Sequence, residues 1–272
     1  MSTVAETKWT WNEAPFSTKL DARRFFPGST QEEALSRMHF LVDNRRRVGV
    51  LSGPSGCGKS MILEVASKQF RQQNRQVCSI GLTGLQADEF LWRLAAEMGA
   101  NPCINSSSRQ LWREIDDRIK ASRYQRISTI LIFDDVEEAE TEVLSMLGRL
   151  AQSDQSDDSR LTLLFACEQS RLHLLGDRLQ ELCELRVEIE PWSEEETINF
   201  IRHALTAAAC GTDLFTEDSE RKLFELTQGV PRRVQQLAQL SLVAAAAQDL
   251  EAIDVGTLEA VFDELSGQAD WD

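Results

Sequence analysis

The chain has 272 residues, of which 42% are hydrophobic and 27% charged, and its formal net charge is -15. This length and composition suit one large or two small globular domains and exclude a disordered chain. The longest apolar runs, 161–167 and 240–247, have about eight residues each, far fewer than the ~20 that cross a bilayer, so no membrane span is predicted. The polar start over residues 1–8 argues against a secretory signal.

Charge is distributed unevenly along the chain. Residues 1–126 carry 19 basic and 13 acidic side chains, whereas residues 127–272 carry 10 basic and 31 acidic ones. The acidic total disfavours indiscriminate coating of DNA, but the first half leaves a local basic surface open. Arg45, Arg46 and Arg47 form a tight basic cluster, which is either a solvated helix end or a phosphate-binding patch. The six cysteines include no Cys-x-x-Cys pair, which favours reduced thiols in a cytoplasmic protein over a zinc site.

The chain opens on an aromatic-rich segment that includes Trp9, Trp11 and Phe16. We interpret it as an arm that packs against its own domain or against a neighbouring subunit. Thr30 and Glu33 then fit the capping-box pattern. Apolar residues recur at helical spacing after them, which predicts a helix of about 14 residues.

Strands and helices then alternate. Five strands are predicted, over 48–52, 77–81, 129–133, 161–166 and 185–189. Helices are predicted between them, over 59–72, 88–98, 109–123 and 139–152. This alternation predicts a doubly wound α/β sheet of parallel strands, and the strand over 129–133 is apolar on both faces, as expected inside such a sheet.

The pattern changes after Pro191. Ser193 and Glu196 fit a second capping box. Beyond them the sequence predicts only helices, over 194–208, 217–228, 231–248 and 255–265. The predicted organisation is therefore an arm over 1–24, an α/β domain over 25–191 and a small helical domain over 192–272.

The strongest motif lies between the first strand and the helix that follows it. The pattern G-x-x-x-x-G-K-[ST] is matched at every fixed position by Gly53-Pro54-Ser55-Gly56-Cys57-Gly58-Lys59-Ser60. Its glycines let backbone N–H groups point inward around phosphates, and the helix amino terminus adds partial positive charge. Lys59 is expected to reach the β- and γ-phosphates, and Ser60 to ligate Mg²⁺. The whole run and Met61 are predicted to bind nucleotide; a chance glycine-rich turn is the alternative.

A second candidate site follows the apolar strand over 129–133. In P-loop proteins an acidic residue at the end of a neighbouring strand holds Mg²⁺, and Asp134 is the natural candidate. Asp135 is placed to orient or deprotonate the attacking water. Because aspartate reaches one methylene less far than glutamate, hydrolysis is either slow or uses another base, for instance Glu137 or Glu138. A strand that simply ends in polar residues is the alternative.

Two weaker features complete the set. Glu168 and Gln169 follow the fourth strand, and Gln169 is the easier contact for a γ-phosphate because phosphate oxygens repel a carboxylate; a plain loop is the alternative.

Pro231 suits the first turn of a helix, and an arginine just after it can bind phosphate oxygens in pairs. Arg232, in preference to Arg233, is therefore predicted to contact a nucleotide held between the two domains; a surface helix start is the alternative.

In this order the four features resemble the Walker A, Walker B, sensor 1 and sensor 2 motifs of AAA+ ATPases. Further segments resemble the general secretion pathway protein A (ExeA-like) group, whose relatives include transposition-regulator ATPases. These segments are Pro15-Phe16, Arg24-Phe25-Phe26, Glu33-Ala34-Leu35, residues 191–197, Leu214-Phe215-Thr216 and residues 229–232. The chain departs from the group at Asp135, where the group has glutamate, and at 167–169, where it has Gly-Gln-Pro.

The resemblance implies an AAA+ P-loop core followed by an all-α lid, with ATP and Mg²⁺ as ligands and hydrolysis of ATP to ADP and phosphate. It also implies a nucleotide-dependent homo-oligomer in which an arginine reaches the neighbour's γ-phosphate. Arg178 is the candidate, with Arg171 and Arg186 as alternatives. An unidentified protein partner is expected, and DNA is left open as a partner.

Two other classes of function compete with this interpretation. A nucleotide-gated binding or regulatory module with little turnover is compatible with the short side chain of Asp135. A small-molecule kinase is disfavoured because the acidic helical domain lacks the arginine-rich clamp that such kinases need.

Overall fold

The computed structural model describes residues 14–267. Contacts divide the chain into two units. Among the described residues, the helical unit comprises residues 14–28, the loop residues Gly56–Gly58 and residues 191–267. The α/β unit comprises Ser29–Ser55 and Lys59–Glu190.

The α/β unit is built on a five-stranded sheet whose paired strands all run parallel. Its strands are β1 (Val48–Gly53), β2 (Gln76–Gly81), β3 (Thr129–Asp134), β4 (Leu161–Glu168) and β5 (Leu185–Glu188). The order across the sheet is β2-β3-β4-β1-β5. The predicted parallel α/β sheet is therefore confirmed, and β3, predicted to be interior, lies between β2 and β4.

Six α-helices of this unit connect or flank the strands in the described part of the chain. They are α1 (Ser29–Asp43), α2 (Lys59–Gln72), α3 (Ala87–Glu97), α4 (Ser108–Tyr124), α5 (Thr141–Leu150) and α6 (Gly176–Leu182). The capping box predicted at Thr30 is wrong, because α1 begins at Ser29 and a cap residue must lie outside the helix. A reciprocal capping box instead starts α4, between Ser107 and Gln110.

The core of the α/β unit fixes the ends of the central strands. Phe133 on β3 and Phe165 on β4 are paired in register and fully buried, and their rings stack with their centroids 5.8 Å apart. Because parallel strands all point the same way, their carboxyl ends meet at one edge of the sheet. Gly53 at the end of β1 is in register with Glu168, and Gly81 with Asp134.

The helical unit contains α7 (Glu194–Ala207), α8 (Glu217–Thr227), α9 (Pro231–Ala247) and α10 (Val255–Ser266). The capping box predicted for α7 is confirmed, because Glu196 N–H donates to Ser193 Oγ at 3.2 Å and Ser193 N–H donates to Glu196 Oε2 at 2.9 Å. Within residues 14–267, neither unit has a helix with the length and apolar character needed to cross a bilayer.

The described part of the N-terminal arm packs into the helical unit. Phe16 is only 1% exposed, and its ring lies 6.0 Å from that of Phe200 and 6.1 Å from that of Phe215. Phe26 makes an edge-on contact with Trp192 at 5.5 Å. Contacts thus group the arm up to Gly28 with the helices, whereas the sequence assigned 25–28 to the α/β domain. Trp9 and Trp11 lie outside the described residues.

Candidate nucleotide-binding site

The loop between β1 and α2 has a backbone that requires glycine at several positions. Gly56 and Gly58 have φ of 78° and 91°, in the left-handed region that glycine adopts without penalty. A Cβ at Gly58 would meet nothing within 4 Å, so the loop leaves open space at that point. At Gly53 a Cβ would come within 2.5 Å of Ile189 Cγ1, so only glycine lets β1 pass this close to the chain after β5.

The side chain of Lys59, the first residue of α2, forms hydrogen bonds to the backbone of the loop that precedes it. Its ammonium donates to the carbonyl oxygens of Gly53 at 2.9 Å and of Pro54 at 3.0 Å, and the residue is only 9% exposed. An ammonium has three N–H donors, so these two bonds leave one for a phosphate oxygen. The side chain is thus held in position for a ligand without having to break its contacts to the loop.

Ser60 and Asp134, the two predicted Mg²⁺ ligands, lie together at the carboxyl edge of the sheet. Burial raises the pKa of Asp134 above its ordinary value and negative Asp135 adds to the rise, whereas hydrogen bonds from the Ser60 hydroxyl and the Asp135 backbone and the positive Lys59 oppose it. The Asp135 N–H donates to Asp134 Oδ1 at 3.1 Å. A hydroxyl and a carboxylate are hard oxygen donors of the kind that Mg²⁺ prefers. The residues present therefore fit this ion.

Asp135 has an unusual backbone for a non-glycine residue. Its φ is 54°, in the left-handed region, and its carboxylate accepts a hydrogen bond from Thr83 Oγ1 at 3.3 Å. Strained backbone of this kind concentrates at functional sites, which supports a role for this position. Thr83 was not among the predicted site residues; it lies two residues beyond β2, so it reaches the same edge of the sheet.

The two alternative bases have different surroundings. Glu137 Oε1 accepts from the backbone N–H of Glu168 at 2.6 Å, and its Oε2 is buried with no hydrogen-bond partner in the described part of the chain. Glu138 is instead exposed and forms an ion pair with Arg171. Glu137 therefore ties the turn after β3 to the end of β4, while the charge of Glu138 is balanced by an arginine.

The end of β4 places Glu168, not Gln169, beside the loop. Glu168 is the last residue of the strand, is partly buried and lies in register with Gly53. Its Oε1 accepts from Ser170 Oγ at 2.5 Å. Gln169, the predicted phosphate contact, is exposed and begins a 3-10 segment that runs to Leu175. Contact between Gln169 and phosphate stays a prediction, and the strand geometry favours position 168 as the neighbour of the loop.

Within the helical unit, the start of α9 contacts the loop residue Gly56. The backbone N–H of Arg232 donates to the Gly56 carbonyl at 3.1 Å, while the Arg232 side chain is exposed. Pro231 occupies the first turn of the helix, as predicted. Gly229 has φ of 68°, and a Cβ there would lie 1.9 Å from the carbonyl oxygen of Trp192. The turn therefore requires glycine, both for its left-handed backbone and because any Cβ would clash with Trp192.

A comparison with protein families decides how this arrangement is classified. Residues 42–175 match the family model described as AAA domain. This segment is an AAA domain. It contains both the P-loop and the Asp134-Asp135 pair, so the resemblance to AAA+ ATPases is confirmed.

Relatives of known sequence and structure agree with this classification. General secretion pathway protein A of Aeromonas hydrophila is 22% identical over 264 residues, which are 95% of this chain and 48% of that protein. The chain therefore spans about half the length of this relative.

Solved structures also share the fold. Cdc6p from Pyrobaculum aerophilum has a TM-score of 0.66 at 15% identity and covers 92% of this chain and 68% of its own. Aeropyrum pernix Orc1, solved in complex with DNA, has a TM-score of 0.66 at 14% identity, with coverage of 96% and 69%. The Thermotoga maritima RuvB Holliday junction branch migration motor gives 0.62 at 14%, with coverage of 92% and 73%. At these identities the likeness shows the fold alone.

The AAA domain and the residues just after it carry the three candidate arginine fingers. Arg178 on α6 is exposed and donates to the neutral Gln152 Oε1 at 2.9 Å, so its charge is not balanced by that partner. Arg171 is paired with Glu138, and Arg186 reaches Gln180 Oε1 at 3.5 Å. Arg178 therefore keeps more of its charge available than Arg171, which favours Arg178 as the candidate arginine finger.

Proposed function

We propose that this protein binds Mg²⁺ and ATP at the β1–α2 loop and hydrolyses ATP to ADP and phosphate. The observation that carries the proposal is the meeting of three groups at one sheet edge: the Lys59 ammonium, the Ser60 hydroxyl and the Asp134 carboxylate. The AAA domain match supports nucleotide binding in general. Turnover is the finer part of the proposal.

Each group has a separate role in binding. Backbone N–H groups of residues 53–61 surround the phosphates, with the amino terminus of α2 pointing at them. The remaining Lys59 donor binds a phosphate oxygen, and Ser60 and Asp134 hold the metal. Bound Mg²⁺ would supply positive charge that stabilises the β- and γ-phosphate oxygens during transfer. Such a cation also favours the charged form of Asp134, whose burial otherwise opposes ionisation.

Asp135 is the proposed general base. A water oxygen attacks the γ-phosphorus, its proton passes to the Asp135 carboxylate, and the bond to the bridging oxygen breaks so that ADP leaves with the electron pair. Glu137 is the second candidate because one of its carboxylate oxygens is buried and unpartnered among the described residues.

We expect Asp135→Asn to lower kcat by roughly 10²-fold and Glu137→Gln by less than about tenfold, measured with saturating ATP. The opposite ranking would assign the base to Glu137.

Nucleotide state is proposed to reach the helical unit through Gly56. This loop residue accepts the Arg232 N–H, so a ligand that reshapes the loop disturbs the first turn of α9. The output is then a conformational or assembly switch in a homo-oligomer, with Arg178 acting across the subunit contact and Arg232 on the nucleotide. An unidentified protein partner, DNA as a partner and a cytoplasmic location belong to the same proposal; the DNA complex of the Orc1 neighbour supports the second of these.

The alternative is a nucleotide-gated module that hardly turns over. The observation in its favour is that Asp135 has a short side chain and is engaged by Thr83. Such a protein would change conformation on binding ATP and reset by dissociation. It shares the P-loop contacts with the ATPase, so binding alone does not separate the two.

Phosphate release separates them. The wild type is compared with Lys59→Ala and with Lys68→Ala, a matched control on the exposed face of the same helix. We expect steady-state release from the wild type and Lys68→Ala, and at least about a 10²-fold loss in Lys59→Ala. ATP binding by the wild type without release above that of Lys59→Ala would establish the gated module instead.

A further inference from the structure

The amino-terminal edge of the sheet carries a row of arginines. Arg47 directly precedes β1, Arg75 precedes β2 and Arg160 precedes β4, while Arg126 lies three residues ahead of β3. The strand order places β2, β3, β4 and β1 side by side. At ~4.8 Å per strand, residues far apart in sequence form one row about 14 Å long.

Most carboxylates near this row are already neutralised. Four ion pairs do this: Asp43 with Arg75 at 2.6 Å, Asp154 with Arg123 at 2.6 Å, Asp158 with the same Arg123 at 3.8 Å, and Glu184 with Arg46 at 3.4 Å. Asp157, which is exposed, forms no such pair in residues 14–267. Most of the negative charge at this edge is therefore balanced by Arg46, Arg75 and Arg123.

Four guanidinium groups at the edge have no such partner. Considering only residues 14–267, no ion pair or side-chain hydrogen bond holds Arg45, Arg118, Arg126 or Arg160. The first three are exposed and Arg160 is partly exposed. In a chain with a net charge of -15, this is a local excess of positive charge on the α/β unit.

Two of these arginines occupy backbone positions that suit other residues. Arg45 and Arg126 have φ of 53° and 58° in the turns that lead from α1 into β1 and from α4 into β3. Helix ends in this conformation favour glycine or asparagine, and the equivalent turn before β2 has Asn74 with φ of 58°.

A groove of about 460 Å³ adjoins the row. Arg75 and Arg118 line it together with the polar side chains of Asn74 and Gln125. Tyr124, next to Gln125, is 86% exposed. Guanidinium and amide donors around an open groove suit an anionic ligand.

We propose that this edge binds the phosphodiester backbone of duplex DNA. Guanidinium forks match phosphate oxygens, and duplex DNA carries one negative charge per ~1.7 Å of its axis, so about 14 Å of duplex alongside the row carries roughly eight charges on its two strands. That charge density lets a local basic row act within an acidic protein, where a sparsely charged acidic peptide would not. Backbone contacts carry no base information, so the binding is independent of sequence.

The edge lies at the opposite end of the strands from the P-loop. Six-residue strands such as β1 place the two edges about 20 Å apart. DNA binding at this edge therefore goes beyond ATP hydrolysis and rests only on the proposal of DNA as a partner. It is expected with and without nucleotide.

The test uses the full chain and a labelled duplex of roughly 20 base pairs in about 50 mM salt, followed by fluorescence anisotropy. The triple variant Arg45→Gln, Arg126→Gln and Arg160→Gln is expected to bind at least about tenfold more weakly, and its salt dependence to fall by two to three phosphate contacts. The control is the triple change to glutamine at three exposed arginines of α3 and α4, Arg93, Arg109 and Arg113. It is expected to lose less than about twofold.

Three outcomes would overturn the proposal: no DNA binding by the wild type, equal losses in the two triple variants, or displacement of the duplex by polyglutamate as effectively as by unlabelled duplex. The last result would assign the edge to an acidic polypeptide. Phosphate release measured on the same preparations keeps the two proposals separate, because the edge variant is expected to retain the wild-type rate. Thermal melts confirm that each variant is folded.

Discussion

Asp134 is a carboxylate whose surroundings oppose its ionisation. Burial and negative Asp135 raise its pKa, and the Ser60 hydroxyl and Lys59 compensate only in part. If Asp134 holds Mg²⁺ as proposed, the cation would stabilise the ionised carboxylate and offset the cost of its burial.

The pH dependence of Asp134→Asn tests this balance. A raised pKa means that the folded state holds a proton more tightly than the unfolded state, so the free energy of unfolding falls as pH rises from the ordinary aspartate pKa through the raised one. The variant lacks this loss. Without nucleotide it is therefore expected to melt above the wild type at pH 7 and to lose that advantage in acid. Its melting temperature should no longer respond to Mg·ATP. A lower melting temperature than the wild type at pH 7 would contradict the argument.

Gly229 lies so close to the backbone of Trp192 that it cannot accept a larger side chain. At Gly229 an added Cβ would lie 1.9 Å from the Trp192 carbonyl, in a backbone with φ of 68°. The Trp192 N–H also donates to the Gly229 carbonyl at 2.9 Å, which keeps the two segments together. The start of α9, and with it the Arg232 contact to Gly56, depends on this pairing.

Gly229→Ala is expected to lower the free energy of unfolding by at least about 3 kcal/mol, measured by urea titration. Gly84→Ala is the matched control, because Gly84 has the same φ of 68° but nothing within 4 Å of an added Cβ. It should cost only about 1–2 kcal/mol for the left-handed backbone. Equal losses would show that backbone strain, not the contact with Trp192, accounts for the requirement.

The elements themselves were largely predictable, since periodicity and the P-loop motif place every strand end within two residues of the observed bounds. The cap at Thr30 was not, because the choice between adjacent helix starts depends on tertiary packing. Strand order was not predicted either, and therefore neither was the row of arginines. The bond from Glu168 N–H to Glu137 joins residues 31 apart, which no local pattern reveals.

Across the whole molecule, the two units differ in charge and in what packs against them. The acidic second half of the sequence includes the helices from residue 194 onward, while the basic row lies on the α/β unit. Phe16 of the arm packs into the helical unit and so contributes to the fold of that unit. The proposed function depends on one loop, Gly53 to Ser60, whose residues are divided between the two units.

Calorimetric titration of the full chain with Mg·ATP tests that dependence most directly. We expect measurable heat and a matching rise in melting temperature for the wild type and for Lys68→Ala. We expect neither for Lys59→Ala, because no ammonium then faces the phosphates. A wild-type protein that gives no heat and no thermal shift with millimolar Mg·ATP, or a Lys59→Ala variant that binds like the wild type, would contradict nucleotide binding at this loop.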